Sequence, residues 1–301
     1  MQNELTDFSP DNLSTIMNDE WGLGISPNEI SLPQQMGWQS HVVRARKMFI
    51  KFLKNPSADR LKLFQREIGV LQDIEGKDLG VEVPRILLAG RKPPMFAMSE
   101  VEGMTLASTV TQNSLVSDTV IDQLAHFHIA FDKVMSSCST LPKDERQMGV
   151  WGAQHFDKLP DYAKALIPLL EAANVEITAR PAFPLRFVHG DLNPSNIIVT
   201  PKGRLGIIDF GFAKHCDPHY PLSEFFAYYG FGFKGCFKLI DSINAKSETG
   251  PWLDRKRVVN LSPAKLMGWV AHLEEHSEEK AEWVPVIQGH IKEINRLRLT
   301  L

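Results

Sequence analysis

Between Phe187 and Gly211 the chain reads Phe187-Val188-His189-Gly190-Asp191-Leu192-Asn193-Pro194-Ser195-Asn196-Ile197-Ile198-Val199-Thr200-Pro201-Lys202-Gly203-Arg204-Leu205-Gly206-Ile207-Ile208-Asp209-Phe210-Gly211. Two β-branched runs flank a four-residue turn that contains Pro201 and Gly203, the pattern of a hairpin. In an antiparallel hairpin the residue entering the first strand lies beside the residue leaving the second. Asn196 and Asp209, thirteen apart in sequence, should therefore meet at its open end. A carboxylate and an amide oxygen converging there suit Mg²⁺, which takes hard oxygen ligands and keeps waters and phosphate oxygens for its other positions. Asp191, five residues before Asn196, is delivered by a loop to the same end, where it can orient a hydroxyl and accept its proton. Positioning and charge neutralisation of this kind are most of what phosphoryl transfer asks of a protein.

Other elements must hold these side chains in place. Ser9-Pro10 opens a short helix, with Leu13, Ile16 and Met17 on its inner side, and Trp21-Gly22-Leu23-Gly24 stops it. Strands are expected at 30–32, 42–45, 48–53, 83–88 and 95–101. A helix from about Ser57 to Ile74 carries Leu61, Phe64, Ile68 and Leu71 at helical spacing. Beyond residue 100 the pattern turns helical: Ser117 to Val134, Asp161 to Ala173, and two helices near 263–276 and 279–298. The expected class is α+β in two parts, a β-rich lobe over 1–99 and a mainly helical lobe over 100–301.

The totals exclude several classes. A net charge of −3 and only short basic runs, such as Arg255-Lys256-Arg257, argue against a nucleic-acid partner. The most apolar stretch, Phe225 to Phe237, is cut by three glycines and a lysine and is too short for a membrane span of about 20 residues. Cys138, Cys216 and Cys236 show neither paired nor metal-type spacing, which suits a reducing compartment. The acidic start Met1-Gln2-Asn3-Glu4-Leu5-Thr6-Asp7 has no apolar signal region. The expectation is a cytoplasmic protein.

His189-Gly190-Asp191 with Asn196, followed by Asp209-Phe210-Gly211, resembles the kinase signature as written in the aminoglycoside phosphotransferase and choline kinase-like family of small-molecule kinases. The resemblance spans about residues 30–240 in motif order. It implies a protein-kinase-like fold that moves the γ-phosphoryl group of ATP or GTP, with Mg²⁺, to an acceptor hydroxyl. Asp191 would be the catalytic base and Asn196 and Asp209 the metal ligands. His189 would brace the catalytic loop.

Such a kinase needs a strand lysine for the phosphates and a helix glutamate to hold it. Lys51, in Met48-Phe49-Ile50-Lys51-Phe52-Leu53, and Glu67 fill these places, with Lys54 as a register alternative on the opposite face. Gly37 and Ser40, in the segment before Val42, are the candidate phosphate contacts. Ser99 and Val101, at the end of the last strand of the first lobe, are the candidate adenine contacts through their backbone.

Gly190 stands where many protein kinases carry Arg, and about a dozen residues, Phe212 to Ser223, separate Gly211 from the next apolar helix. There is little room for a peptide platform, so a small acceptor is favoured: an aminoglycoside or other antibiotic, a sugar, or an amino alcohol. A nucleotide-binding scaffold without activity, and a protein kinase, stand as alternatives. Pro221 occupies a position where the family often has Asp, with Ser223 or Glu224 as substitutes. Glu274, Glu275, Glu278, Glu279 and Glu282 read as a solvated helical face or, less simply, as a polycation site. Trp151, His155 and Asp157 are further acceptor candidates. His126 and His128, two apart on a helix, read as packing and surface residues rather than a metal pair.

Overall fold

A computed structural model of the chain describes residues 7–32, 40–54, 56–90, 92–110, 116–138, 141, 156–178, 184–228, 231–275 and 277–301. Helix α1 (Pro10–Trp21) starts where Ser9 accepts the backbone N–H of Asn12, and it ends on Gly22, whose φ of 65° is the left-handed cap expected of glycine. Leu13 and Met17 of α1 are fully buried against one face of a sheet.

That sheet has five antiparallel strands in the order β1-β2-β3-β5-β4: β1 (Ile30–Ser31), β2 (Ser40–Ala45), β3 (Met48–Leu53), β4 (Ile86–Gly90) and β5 (Met95–Ser99). In β3 the alternation is overridden at its end, because Lys51, Phe52 and Leu53 are all buried between α1 on one side and helix α2 (Ala58–Ile74) on the other. Strand β4 begins three residues later than the periodicity predicts, and a bulge between Ile86 and Leu88 shifts its register. Strand β5 ends at Ser99, two residues early.

The second half is built around helix α4 (Asp118–Cys138), which follows the short β6 (Met104–Thr105) and α3 (Leu106–Thr109). Leu124, Phe127 and Phe131 on its predicted face are buried and join the main core. The segment expected as one helix from Asp161 is a 3₁₀ stretch, Asp161–Leu166, followed by α5 (Ile167–Thr178). Pro168 has no N–H for the i→i−4 bond, so the preceding turn closes in 3₁₀ form.

Next come β7 (Arg186–Val188), the hairpin β8 (Ile197–Val199) and β9 (Leu205–Ile207), and β10 (Lys214–Cys216), which pairs with β7. Helices α6 (His219–Leu222), α7 (Gly232–Lys246), α8 (Arg255–Glu275) and α9 (Lys280–Thr300) complete the chain. Helix α8 starts eight residues before the predicted position and passes through Pro263. Val258, Val259 and Leu261 ahead of the proline are buried, so packing on both sides offsets the lost backbone bond. None of the described helices is long and apolar enough to cross a membrane.

Candidate active site

The hairpin forms with Ile197 opposite Ile207 and Val199 opposite Leu205, one residue short of the pairing that would set Asn196 directly opposite Asp209. Its ladder continues one step, from the Ile208 N–H to the Asn196 carbonyl at 3.0 Å, so Asp209 leaves the second strand next to Asn196. Asp209 takes a left-handed backbone, φ 64°, a conformation that aspartate tolerates better than most residues. Behind it Phe210 is fully buried, with its ring 4.7 Å from that of His189 and 5.8 Å from that of Phe131.

His189 joins the two halves of the motif. Its Nε2 donates to the Ile208 carbonyl at 3.0 Å, and its Nδ1 accepts the Asp191 N–H at 3.4 Å. Burial pushes its pKa down to about 4, so the ring is neutral and both nitrogens are engaged. Gly190, φ 84°, has no room for a side chain, since a Cβ there would lie 2.1 Å from the Phe212 carbonyl oxygen. The loop thus lies directly on the segment after Asp209.

Asn193 belongs to the same loop and was not singled out from the sequence. Its Oδ1 accepts the N–H groups of Ser195 at 2.9 Å and Asn196 at 3.2 Å, and its Nδ2 donates to Asp191 Oδ1 at 3.2 Å. Asn193-Pro194 is a recognisable capping pair, and that was the available signal. The Asn196 amide nitrogen donates to Asp191, at 2.8 Å to its carbonyl and 3.1 Å to its Oδ2. The Asn196 side-chain oxygen, Oδ1, is therefore the atom left to act as a ligand.

Across the cleft, Lys51 Nζ lies 2.7 Å from Glu67 Oε2 and 3.0 Å from Asp209 Oδ1. Burial favours the uncharged amine, but the Glu67 and Asp209 carboxylates outweigh it and hold the Lys51 pKa above its usual value. Burial, with Asp209 adding to it against Lys51, raises Glu67 to about 7. Burial also opposes ionisation of Asp209, but Lys51 prevails and keeps that carboxyl below the usual range. Asp191 is raised to about 6, by burial first and then by Glu224 and Asp209, against the Asn193 hydrogen bond and Lys265.

A cavity of about 270 Å³ is lined by Ser40, Lys51, Glu67, Asp191, Asp209 and Gly211 among others. Gly37 lies outside the described residues, as do Trp151 and His155. Lys54 does not line the cavity. Ser99 and Val101 do not line it either; the Ser99 N–H is bonded to the Arg85 carbonyl at 2.9 Å. His128 is buried and His126 exposed on opposite sides of α4, as packing and surface roles require.

The model of the phosphotransferase enzyme family matches residues 39–235, about two thirds of the chain and the span that holds Lys51, Glu67, Asp191, Asn196 and Asp209. The chain belongs to this family. This phosphotransferase has no match among curated proteins. Among solved structures it resembles the GDP and kanamycin complex of APH(2")-IIia, at 18% identity, 95% of this chain and 99% of that one, with a TM-score of 0.68. It is also similar to a choline/ethanolamine kinase family protein from Mesorhizobium loti, at 15% identity, 96% and 95% coverage and a TM-score of 0.59. A third is the macrolide 2'-phosphotransferase MphH from Brachybacterium faecium, at 16%, 91% and 97%, with a TM-score of 0.58. At these identities the likeness is one of fold, and it is the kinase-like α+β fold expected from the motifs. The phosphotransferase is a small-molecule kinase acting on a hydroxyl group.

Around Pro221 the structure replaces one expectation with another arrangement. Ser223 is fully buried, with its hydroxyl on the Tyr220 carbonyl at 2.7 Å, and Glu224 pairs with Lys265 of α8 at 2.9 Å. The anchor of this segment is Asp217, which is 3% exposed and bonded through Oδ2 to the Arg257 guanidinium at 2.8 and 2.6 Å. Its other oxygen accepts from His219. Arg257 also reaches Glu176 of α5 at 2.8 Å. These long-range partners carry no sequence signal.

Proposed function

We propose that the chain transfers the γ-phosphoryl group of ATP or GTP, bound with Mg²⁺ in the cleft between Lys51 and Asp191, to a hydroxyl of a small molecule. The observation that carries this reading is the convergence of Lys51, Glu67 and Asp209 in one ion-pair system that shares a single cavity with Asp191. Relatives of the same fold bind GDP or ADP, which supports a nucleoside triphosphate as donor.

Lys51 would neutralise the α- and β-phosphates, with Glu67 keeping its ammonium in place. Ser40, buried and facing the cavity, would donate its hydroxyl to phosphate, and the backbone at Val101 would meet the base outside this cavity. The donor set fits a hard divalent cation: the Asp209 carboxylate, whose side chain is 40% exposed, and the side-chain Oδ1 of Asn196. Mg²⁺ held there would offset the negative charge that grows on the phosphate oxygens. Asp191, ionised at neutral pH because its pKa is about 6, would accept the acceptor's hydroxyl proton. The oxygen–γ-phosphorus bond forms as the bridging bond to the β-phosphate breaks, and the nucleoside diphosphate leaves. The lobe boundary falls at 99/100, and the three free cysteines, two of them buried, support a cytoplasmic setting.

The test is Mg²⁺-dependent ATP and GTP consumption against aminoglycosides, amino alcohols and sugars, paired with Asp191→Asn. Acceptor-stimulated turnover that the variant lacks is the expected result. Tight nucleotide binding with no stimulation by any compound would instead indicate a scaffold.

A further inference from the structure

One face of α8 presents Ala264, Lys265, Gly268, Trp269 and His272 to a second cavity of about 570 Å³, a size suited to a small ring-shaped ligand. Tyr220 and Glu224 close its inner side, and Glu279 and Trp283 its outer side. Glu224 and Lys265 of this lining, and the partly buried Tyr228, interact electrostatically with Asp191, so this end of the cavity lies toward Asp191. Gly268 leaves open space where a side chain would stand. Trp269 and Trp283 form a corner, their ring centroids 4.9 Å apart at 59°.

The cavity has the two features that bind an organic cation, a carboxylate and an aromatic face, but the protein uses both itself. Lys265 Nζ lies 2.9 Å from Glu224 Oε2 and 4.4 Å from the centroid of the Tyr220 ring. It occupies the place that the ammonium of an acceptor would take. The other carboxylate on the cavity, Glu279, faces His272 at 3.5 Å. Glu274, at the end of the same helix, is engaged by Tyr162 and Lys280. An incoming cation would have to displace a tethered, low-exposure ammonium from its carboxylate, while an uncharged ring with hydroxyl groups would not. Such a ring can stack its apolar face on Trp269 and Trp283 and hydrogen-bond to the Glu224 oxygens and the Lys265 ammonium.

We infer that Lys265 is an internal substitute for a cationic acceptor group, and that it makes this enzyme select neutral hydroxylated rings over aminoglycosides and amino alcohols. This rests on the phosphotransferase reading for the chemistry but not for the binding preference, and the two can be tested apart.

The binding arm uses calorimetry of the full chain with choline and with kanamycin. Wild type is expected to bind both weakly. Lys265→Met should bind choline about tenfold or more tightly, the effect of about 1.4 kcal/mol. The double variant Lys265→Met/Glu224→Gln should lose that gain. Lys265→Gln, which keeps a hydrogen bond to Glu224 without the charge, should show the same gain if the Met variant folds poorly. Cation affinity unchanged within twofold in both single variants overturns the inference, as does tight wild-type binding of kanamycin.

The turnover arm compares glucose with glucosamine. Wild type should prefer the neutral sugar by about tenfold in kcat/KM, and Lys265→Met should narrow that preference. The reverse ranking overturns the inference. Absence of nucleotide consumption with any acceptor, with the binding pattern intact, would remove the phosphotransferase reading and leave the charge selection standing.

Discussion

Lys51 and Asp209, 158 residues apart in the chain, meet at 3.0 Å across the cleft. The contact brings the proposed phosphate-binding cation onto the proposed metal-binding carboxylate, and Glu67 shares that cation at 2.7 Å. Lys51→Met removes the charge and keeps most of the volume. Loss of one preorganised charge of this kind is expected to lower kcat/KM about 100-fold or more, with folding retained by circular dichroism. An effect below threefold would remove Lys51 from the donor site.

Asp191, raised to about 6, has to be ionised to accept a proton, so activity should fall as pH drops below that value and level off above it. The acid limb of a kcat/KM profile with a neutral acceptor reads this directly. Asp191→Asn should lose about 10²–10⁴ in kcat at every pH. A profile that stays flat through pH 6 would mean another group takes the proton.

Asn193 acts through Asp191. Its amide stabilises the ionised carboxyl at 3.2 Å, so Asn193→Ala should move the acid limb upward. Loss of one hydrogen bond to a charged group predicts a fall in kcat of about tenfold. A lower kcat with an unmoved limb would show that Asn193 shapes the loop without touching the base.

Arg257 bridges Asp217 and Glu176, and its side chain is 9% exposed against 3% for Asp217. Arg257→Met leaves the Asp217 carboxylate buried without its cation, at a cost of about 3–5 kcal/mol in urea unfolding. Adding Asp217→Asn should recover part of the loss, because the uncompensated charge is then gone. A single variant within 1 kcal/mol of wild type, well under the scale for a broken buried pair, would refute this account.

Much of the catalytic half could be read locally. His189, Asp191, Asn196 and Asp209 lie within 21 residues, and a hairpin carries its own register, so turn chemistry and β-branched runs were enough to set Asn196 beside Asp209. Lys51 and Glu67 were recognised through their order along the chain, and their contact joins a strand to a helix sixteen residues away. The expected start of α8 near 263 gives way to one at Arg255, and the burial of Val258, Val259 and Leu261 on the N-terminal side of Pro263 shows why the helix runs through it.

By itself, the sequence determined the family, the kinase-like chemistry and the local shape of the catalytic loop, because each depends on short-range spacing and on residues of fixed type. The tertiary structure alone decided the long-range charges: Lys51 on Asp209, Arg257 on Asp217, and Lys265 on Glu224 beside Asp191. A lysine in a helix reads as a solvated charge until packing encloses it. Burial and a partner 41 residues away, neither visible in spacing, turn Lys265 into a fixed cation in the acceptor cavity.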